Sequence, residues 1–475
     1  MSNSEAAMLT DLYEFSMANG YLHALPATEG VFDVFFRHVP DDGGTVVLAG
    51  LEQVVDVLRH WHFSEKDVAY FRSLHLFSED FLHYLATAKF TCSVWAIPEG
   101  TPVFPREPLL TVKGPLVQVQ LLETLVLNII NHESLIATKA RRICSAAGGR
   151  PVMEFGARRA QGPDAATYGA RAAIIGGCSS TSNVLTARLF GVPAAGTMAH
   201  SWVEAFPSEL EAFQTWAKLY PDNCAMLVDT YDVLLSGVPN AIKVFHELKR
   251  RGHRPVGIRI DSGDIADLAI KARHMLDEAG FSEAKITASN ALDEYAIEAL
   301  WAKKAPIDNF GIGEKLITSA TAPVLSGVYK MAAIEQNGRL IPKIKVSDSR
   351  EKLTLPGRKQ VYRLYRQERA VADVIALAGE TMNAPLTVWS ADPLVANERK
   401  QLDEFEAVPL QQEIFDRGRL VFPLPTLGRI TAASRRQLNE LSPAVLRLDN
   451  PERYSVLLTD GLKQLQNRVK TLQQV

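Results

Sequence analysis

The chain has 475 residues, of which 47% are hydrophobic and 22% charged, with a formal net charge of −3. That length calls for two domains, at least one of them large enough to bury a catalytic pocket, and the near-neutral charge lacks the electrostatic footprint of a nucleic-acid binder. No apolar run is long enough to cross a bilayer, residues 1–7 carry no export signal, and the four cysteines are too scattered for a zinc site or a disulfide framework. The expectation is a cytoplasmic enzyme with no membrane or nucleic-acid partner and no protein-bound metal, in which any anionic substrate is held by local cations.

In chain order, residues 32–36, 90–97, 101–104 and 109–112 read as strands and residues 50–61 as a helix, a pattern of α+β type. Residues 116–146 are apolar with helical periodicity and contain no proline, so they are expected to bridge two domains. A different plan follows, in which short apolar runs end in polar or glycine residues and alternate with helix-compatible stretches. The runs are 152–154, 174–178, 192–197, 225–229, 256–261, 285–290 and 307–313. Their spacing, about 20–35 residues, suits βα units of a parallel sheet. Residues 264–280 read as an amphipathic helix closed by Gly280. Seven runs rather than eight predict an irregular or incomplete α/β barrel. Beyond Tyr329 come a β-like pair (329–334 and 339–345), a turn at Pro356 and Gly357, further short strands and a terminal helix from about Pro451. The expected domains are therefore 1–135 with 345–475, an α+β domain formed by the N-terminal segment and the C-terminal tail, and 136–344, a barrel-like catalytic domain.

In such barrels, side chains at the carboxyl ends of the strands converge on one mouth. Here those ends carry Glu154, Thr197, Asp229, Arg259 with Asp261, Asn290, and Gly311 with Gly313. Arg158 and Arg159, just beyond Glu154 and Gly156, are guanidinium forks suited to phosphate or carboxylate, or else a solvated pair in a loop. Phe155 either joins the core or stacks on a planar ring. On a strand, Arg259 and Asp261 project to the same face. Such a carboxylate can bind ribose hydroxyls and oppose a cationic sugar while the arginine meets an anion; the plainer reading is a salt bridge between the two. Asp264 reads more readily as a helix cap. Gly311 and Gly313, followed by Thr318, offer backbone amides for phosphate or simply make a tight turn. His200 becomes a candidate nucleophile if Asp229 on the next strand fixes its tautomer through a hydrogen bond.

Taken together, these motifs resemble those of nicotinate phosphoribosyltransferases. The resemblance runs from residues 10–13 (Tyr13 included) to residues 327–330 and takes in Phe35, Phe36 and Arg37, residues 154–159, 180–183, 196–200, 229–232 and 259–264, and Gly311 with Gly313. Residues 136–142, with Lys139 and Arg141, also resemble a phosphate-binding stretch of the quinolinate enzymes, although a purely structural basic helix fits as well. The resemblance implies transfer of phosphoribosyl from phosphoribosyl pyrophosphate to nicotinate, coupled to ATP hydrolysis through a phosphorylated His200, with Mg2+ neutralising phosphates and a homodimer sharing its active sites. It further implies that Tyr13, Thr197 and Arg259 contact nicotinate, Asp261 the ribose, and Thr318 or the Gly311 and Gly313 backbone a donor phosphate. Two positions depart from the family pattern. Met198 stands where nicotinamide-using relatives present an acid, which favours nicotinate. Glu314 and Lys315 follow Gly313 where many relatives have threonine, which weakens the phosphate assignment there.

Overall fold

The computed structural model describes residues 3–346, 352–395 and 397–472. They fall into two compact units, residues 1–138 with 324–475, and residues 139–323. The expected catalytic segment reached residue 344. The second unit ends at Pro323 because the next strand, Gly327–Gln336, pairs from Gly327 to Glu335 with Glu29–Phe36, which draws it into the first unit.

The first unit is built on a seven-stranded sheet in which Glu29–Phe36 lies between Gly327–Gln336 and Leu110–Pro115. All but the first residue of Glu29–Phe36 are buried, so its near-continuous apolar composition matches its place between two neighbours. The N-terminal and C-terminal segments meet in this sheet, because Gln412–Asp416 pairs with Ser93–Ala96. A six-stranded sheet is made from the C-terminal segment alone. In it, Arg363 and Asp373 stand directly opposite each other on neighbouring strands. Both are fully buried, and Arg363 donates from Nε (2.9 Å) and Nη2 (2.7 Å) to the two oxygens of Asp373. Burial, and then the charge of Asp373, push the adjacent Glu107 carboxyl well above the usual range. The chain enters its last helix later than expected: residues 456–459 form a strand, and the helix is Asp460–Leu472.

The second unit holds a six-stranded, wholly parallel sheet. Its strands are β1 (Val152–Glu154), β2 (Ser180–Thr181), β3 (Ala225–Leu227), β4 (Gly257–Ile260), β5 (Lys285–Ala288) and β6 (Asn309–Ile312). They are ordered β2-β1-β6-β5-β4-β3. The expected run 192–197 adds only one bridge, Thr181 to Ala194, so among the described residues the ladder does not close into a ring. The run 174–178 is not a strand: Ile174 and Ile175 are buried in the last turn of the helix Pro163–Ile175, and pairing begins at Ser180 after the Gly176 and Gly177 turn. A short apolar run is compatible with either state, and here the helix continuing through a buried alanine-rich stretch prevails. Asp264 caps the helix Ile265–Glu278 by accepting from the Asp267 N–H.

The Arg363–Asp373 pair generates a stability test. Replacing Asp373 by Asn leaves a buried guanidinium without its counter-charge and is expected to lower the unfolding free energy by about 3–5 kcal/mol, read from urea denaturation.

Candidate active site

Parallel pairing sets the site. Arg259 is opposite Thr287 on β5 and Leu227 on β3, which places it near the carboxyl end of the sheet between two neighbours. On β4, Ile258 and Ile260 are buried in the sheet core, so strand alternation turns Arg259 and Asp261 to the other face. Arg259 then donates from Nη2 to Asp261 Oδ1 (2.8 Å), from Nη1 to Thr197 Oγ1 (2.9 Å) and from Nε to Ser289 Oγ (2.7 Å). The Ser289 hydroxyl donates in turn to Asp261 Oδ1. Among the described residues, three of the five guanidinium N–H groups are engaged, and two remain for an anion. The guanidinium carbon also lies 5.6 Å from the centre of the Phe155 ring.

Asp229 lies two residues past the end of β3, and its side chain is almost fully buried. Its Oδ2 accepts from the Asp261 N–H (3.0 Å) and the Ser262 hydroxyl (2.6 Å), which locks the loop after β4 to the loop after β3. Its Oδ1 has no hydrogen-bond partner among the described residues. His200 opens the short helix His200–Glu204. Its Nε2 is 3.9 Å from both Asp229 Oδ1 and Asp261 Oδ2, and its Nδ1 is 3.2 Å from Thr230 Oγ1. At 3.9 Å the imidazole and Asp229 are within ion-pair range but beyond hydrogen-bonding distance, so the tautomer-fixing bond expected from the sequence is not formed in this arrangement. Burial would raise the Asp261 carboxyl, but the Ser289 hydroxyl, the Arg259 guanidinium and the His200 ring outweigh it and hold the carboxyl below its ordinary range.

Gly311 serves the ring. A Cβ at position 311 would stand 2.6 Å from the Phe155 ring, and one at position 313 would stand 3.1 Å from the Phe155 carbonyl oxygen. Gly311 therefore has a packing reason of its own: only hydrogen leaves room for the Phe155 ring over β6. Asn290 follows Ser289 with φ of 101°, a left-handed turn that ends the β5 segment and leaves the residue exposed.

The Thr318 hydroxyl is spent on the Glu314 carbonyl one turn back (2.7 Å). Lys139 is buried, and its Nζ contacts Glu294 Oε1 (2.8 Å) and Thr321 Oγ1 (2.7 Å), so its geometry is that of a core ion pair, which Arg142 joins at the same oxygen. Arg141 is largely withdrawn from water, and that burial lowers its pKa. Arg158 is exposed in the 3-10 turn Ala157–Arg159. Tyr13 belongs to the first unit, half-exposed on the helix Leu12–Ala24; partial burial, then the charge of Glu123, push its phenol up to about 12. Glu154 is fully buried, accepts from the Gly156 N–H and the Thr181 hydroxyl, and has its pKa raised by burial, so it latches β1 to its neighbours rather than facing the mouth.

Sequence reasoning missed Ser289, Thr230 and the locking role of Ser262. The one sequence signal for Ser289 is that it directly precedes the polar strand end at Asn290. The Gly311 packing gives a direct test: Gly311→Ala is expected to displace the Phe155 ring and to destabilise the protein by about 1–3 kcal/mol, measured by chemical denaturation and seen in a crystal structure of the variant.

The chain matches the family models described as the nicotinate phosphoribosyltransferase N-terminal domain over residues 8–131, the nicotinate phosphoribosyltransferase family over residues 151–369, and the C-terminal domain over residues 358–466. It is 43% identical to the nicotinate phosphoribosyltransferase of Bacillus subtilis (strain 168) over 454 residues, covering 95% of this chain and 92% of that protein. Against the Homo sapiens nicotinate phosphoribosyltransferase the identity is 34%, covering 97% and 96% of the two chains. The crystal structure of human nicotinic acid phosphoribosyltransferase superposes with a TM-score of 0.86 at 32% identity, covering 97% of this chain and 99% of that one. A nicotinate-nucleotide pyrophosphorylase structure from Pyrococcus furiosus superposes with a TM-score of 0.69 at 25% identity, covering 92% and 96%.

Proposed function

The chain belongs to the nicotinate phosphoribosyltransferase family, and from that membership together with the Arg259 cluster we propose that it transfers phosphoribosyl from phosphoribosyl pyrophosphate to nicotinate, giving nicotinate mononucleotide and pyrophosphate. The observation that carries this reading is the Arg259 guanidinium, held from three sides with two N–H groups remaining beside the Phe155 ring. A planar aromatic carboxylate satisfies both features, since the carboxylate pairs with the fork and the ring stacks on the phenyl face.

In the reaction, the pyridine nitrogen attacks the sugar C1, the C1–O bond to pyrophosphate breaks, and pyrophosphate leaves with the electron pair. The sugar becomes cationic on the way, and Asp261, held ionised by its neighbours, stabilises that charge. ATP coupling is part of the same proposal. A ring nitrogen of His200 attacks the γ-phosphorus, ADP departs, and water later releases phosphate from the imidazole. Support comes from a half-exposed imidazole within 3.9 Å of Asp229 and Asp261. Mg2+ fits in a limited sense. Among the described residues no group of three His, Cys, Asp or Glu side chains is arranged to cage a metal. Asp229 Oδ1, buried without a partner, and Asp261 Oδ2 suit an ion that takes most of its oxygens from phosphates. When bound, the ion neutralises phosphate charge. The strand order around the site is compatible with an incomplete barrel. A homodimer, with Tyr13 serving the neighbouring subunit, belongs to the same reading. None of the described helices is long and apolar enough to cross a membrane.

The pure protein, given phosphoribosyl pyrophosphate, Mg2+, labelled ATP and in turn nicotinate, nicotinamide or quinolinate, is expected to form mononucleotide with nicotinate and an acid-labile phosphoprotein. Turnover with nicotinamide or quinolinate instead would overturn the substrate assignment. Arg259→Ala is expected to raise the nicotinate KM on the order of 100-fold, as loss of a charge-assisted pair requires. His200→Ala is expected to lose the labelled phosphoprotein and ATP hydrolysis while retaining slow transfer; ATP coupling that persists in this variant would remove His200 from the scheme.

A further inference from the structure

We infer that Ser289 is a positioning residue that welds Arg259 and Asp261 into one unit and decides which of their polar atoms face the substrates, an inference that rests on the reading of Arg259 and Asp261 given above. The three side chains close a ring of hydrogen bonds. Arg259 Nη2 donates to Asp261 Oδ1 (2.8 Å), Arg259 Nε donates to Ser289 Oγ (2.7 Å), and the Ser289 hydroxyl donates to the same Asp261 Oδ1. A hydroxyl has one proton, and here Asp261 takes it, so the lone pairs of Oγ are what meet Arg259 Nε. No other neutral side chain of this size both gives to a carboxylate and receives from a guanidinium.

The backbone keeps the hydroxyl in place. Ser289 is 2% exposed, its N–H is bound to the Ile260 carbonyl (3.0 Å), and it directly follows β5, whose Ala288 is paired with Ile260. The next residue, Asn290, turns into the left-handed region, so Ser289 is the last position whose side-chain direction the sheet imposes. The consequence is an allocation of atoms. With Oδ1 taken twice, Asp261 presents Oδ2, the oxygen 3.9 Å from His200 Nε2. With Nε and one hydrogen on each terminal nitrogen occupied, Arg259 presents one N–H from Nη1 and one from Nη2.

Charged groups reach Asp261 from three segments: Arg259 from the same strand, His200 from the helix after residue 199, and Asp229 from the loop after β3, where it holds the Asp261 N–H. Ser289 is a neutral donor among them, and its loss releases Asp261 Oδ1 and Arg259 Nε together.

The experiment compares wild type, Ser289→Ala and Ser289→Thr. Ser289→Ala is expected to raise the nicotinate KM about 10-fold with a smaller change in kcat, the fold-change of one lost hydrogen bond to a charged group. Ser289→Thr, which keeps the hydroxyl, is expected to restore the KM. A residue that merely packs would give equal defects in Ala and Thr, and that outcome overturns the inference. In parallel, the Arg259 Nε–H is followed by NMR in arginine-labelled protein, its signal identified by its loss in Arg259→Lys, and Ser289→Ala is expected to speed its exchange with solvent. Exchange unchanged by Ser289→Ala sinks the proposal even if transfer activity is normal. If wild type fails to use nicotinate while the exchange is faster in Ser289→Ala, the substrate reading falls and the positioning role stands. Should Ser289→Ala not fold, the wild-type signal decides: protection from solvent exchange supports the ring, and rapid exchange overturns it.

Discussion

Everything at the mouth of the second unit depends on holding one guanidinium still. An arginine side chain has several rotatable bonds and loses considerable freedom when fixed. Arg259 is fixed by acceptors from three segments: Asp261 from its own strand end, Ser289 from the end of β5, and Thr197 from the segment after Ala194. Because these acceptors converge from parallel neighbours, the entropy of ordering the side chain is offset during folding rather than during binding. A fork held in this way offers its remaining donors in a fixed plane, beside a phenyl ring that Gly311 admits.

The first unit contains the same pair of side chains in a different role, and burial separates the two cases. Arg363 and Asp373 are both at 0% exposure and satisfy each other through two hydrogen bonds. Arg259 and Asp261 are 15% and 28% exposed and share only one direct hydrogen bond. The first geometry consumes the charges in holding a sheet together, at a desolvation cost that makes any unpaired intermediate unfavourable. The second keeps an oxygen and two N–H groups available, and solvent access lets ligand replace water there.

Much of this was legible in the chain. Alternation on β4 set Arg259 and Asp261 to one face, and Asp264 read as a cap and caps its helix. Other residues were misleading for identifiable reasons. Residues 174–178 look like a strand because a short apolar run has no period of its own, yet the preceding alanine-rich helix extends through Ile175. Lys139 reads as an anion ligand until Glu294, more than 150 residues later in the chain, is found against its ammonium at 2.8 Å. Thr318 suggests a phosphate contact, but its hydroxyl turns back to its own helix. At Gly311 the chain shows only a glycine at a strand end, and the packing need set by the Phe155 ring becomes visible in the fold.

By itself the sequence determined what is local: strand periodicity, helix caps, the types of charge at each strand end, and the resemblance in their order. Those properties depend on neighbours a few residues away. Tertiary structure alone decided which charges neutralise one another and which remain for a ligand, because that depends on distances of about 3 Å between atoms far apart in the chain. Ser289 shows the difference. In the sequence it is an ordinary small residue before a turn, and it joins Arg259 to Asp261 only once β4 and β5 are hydrogen-bonded side by side.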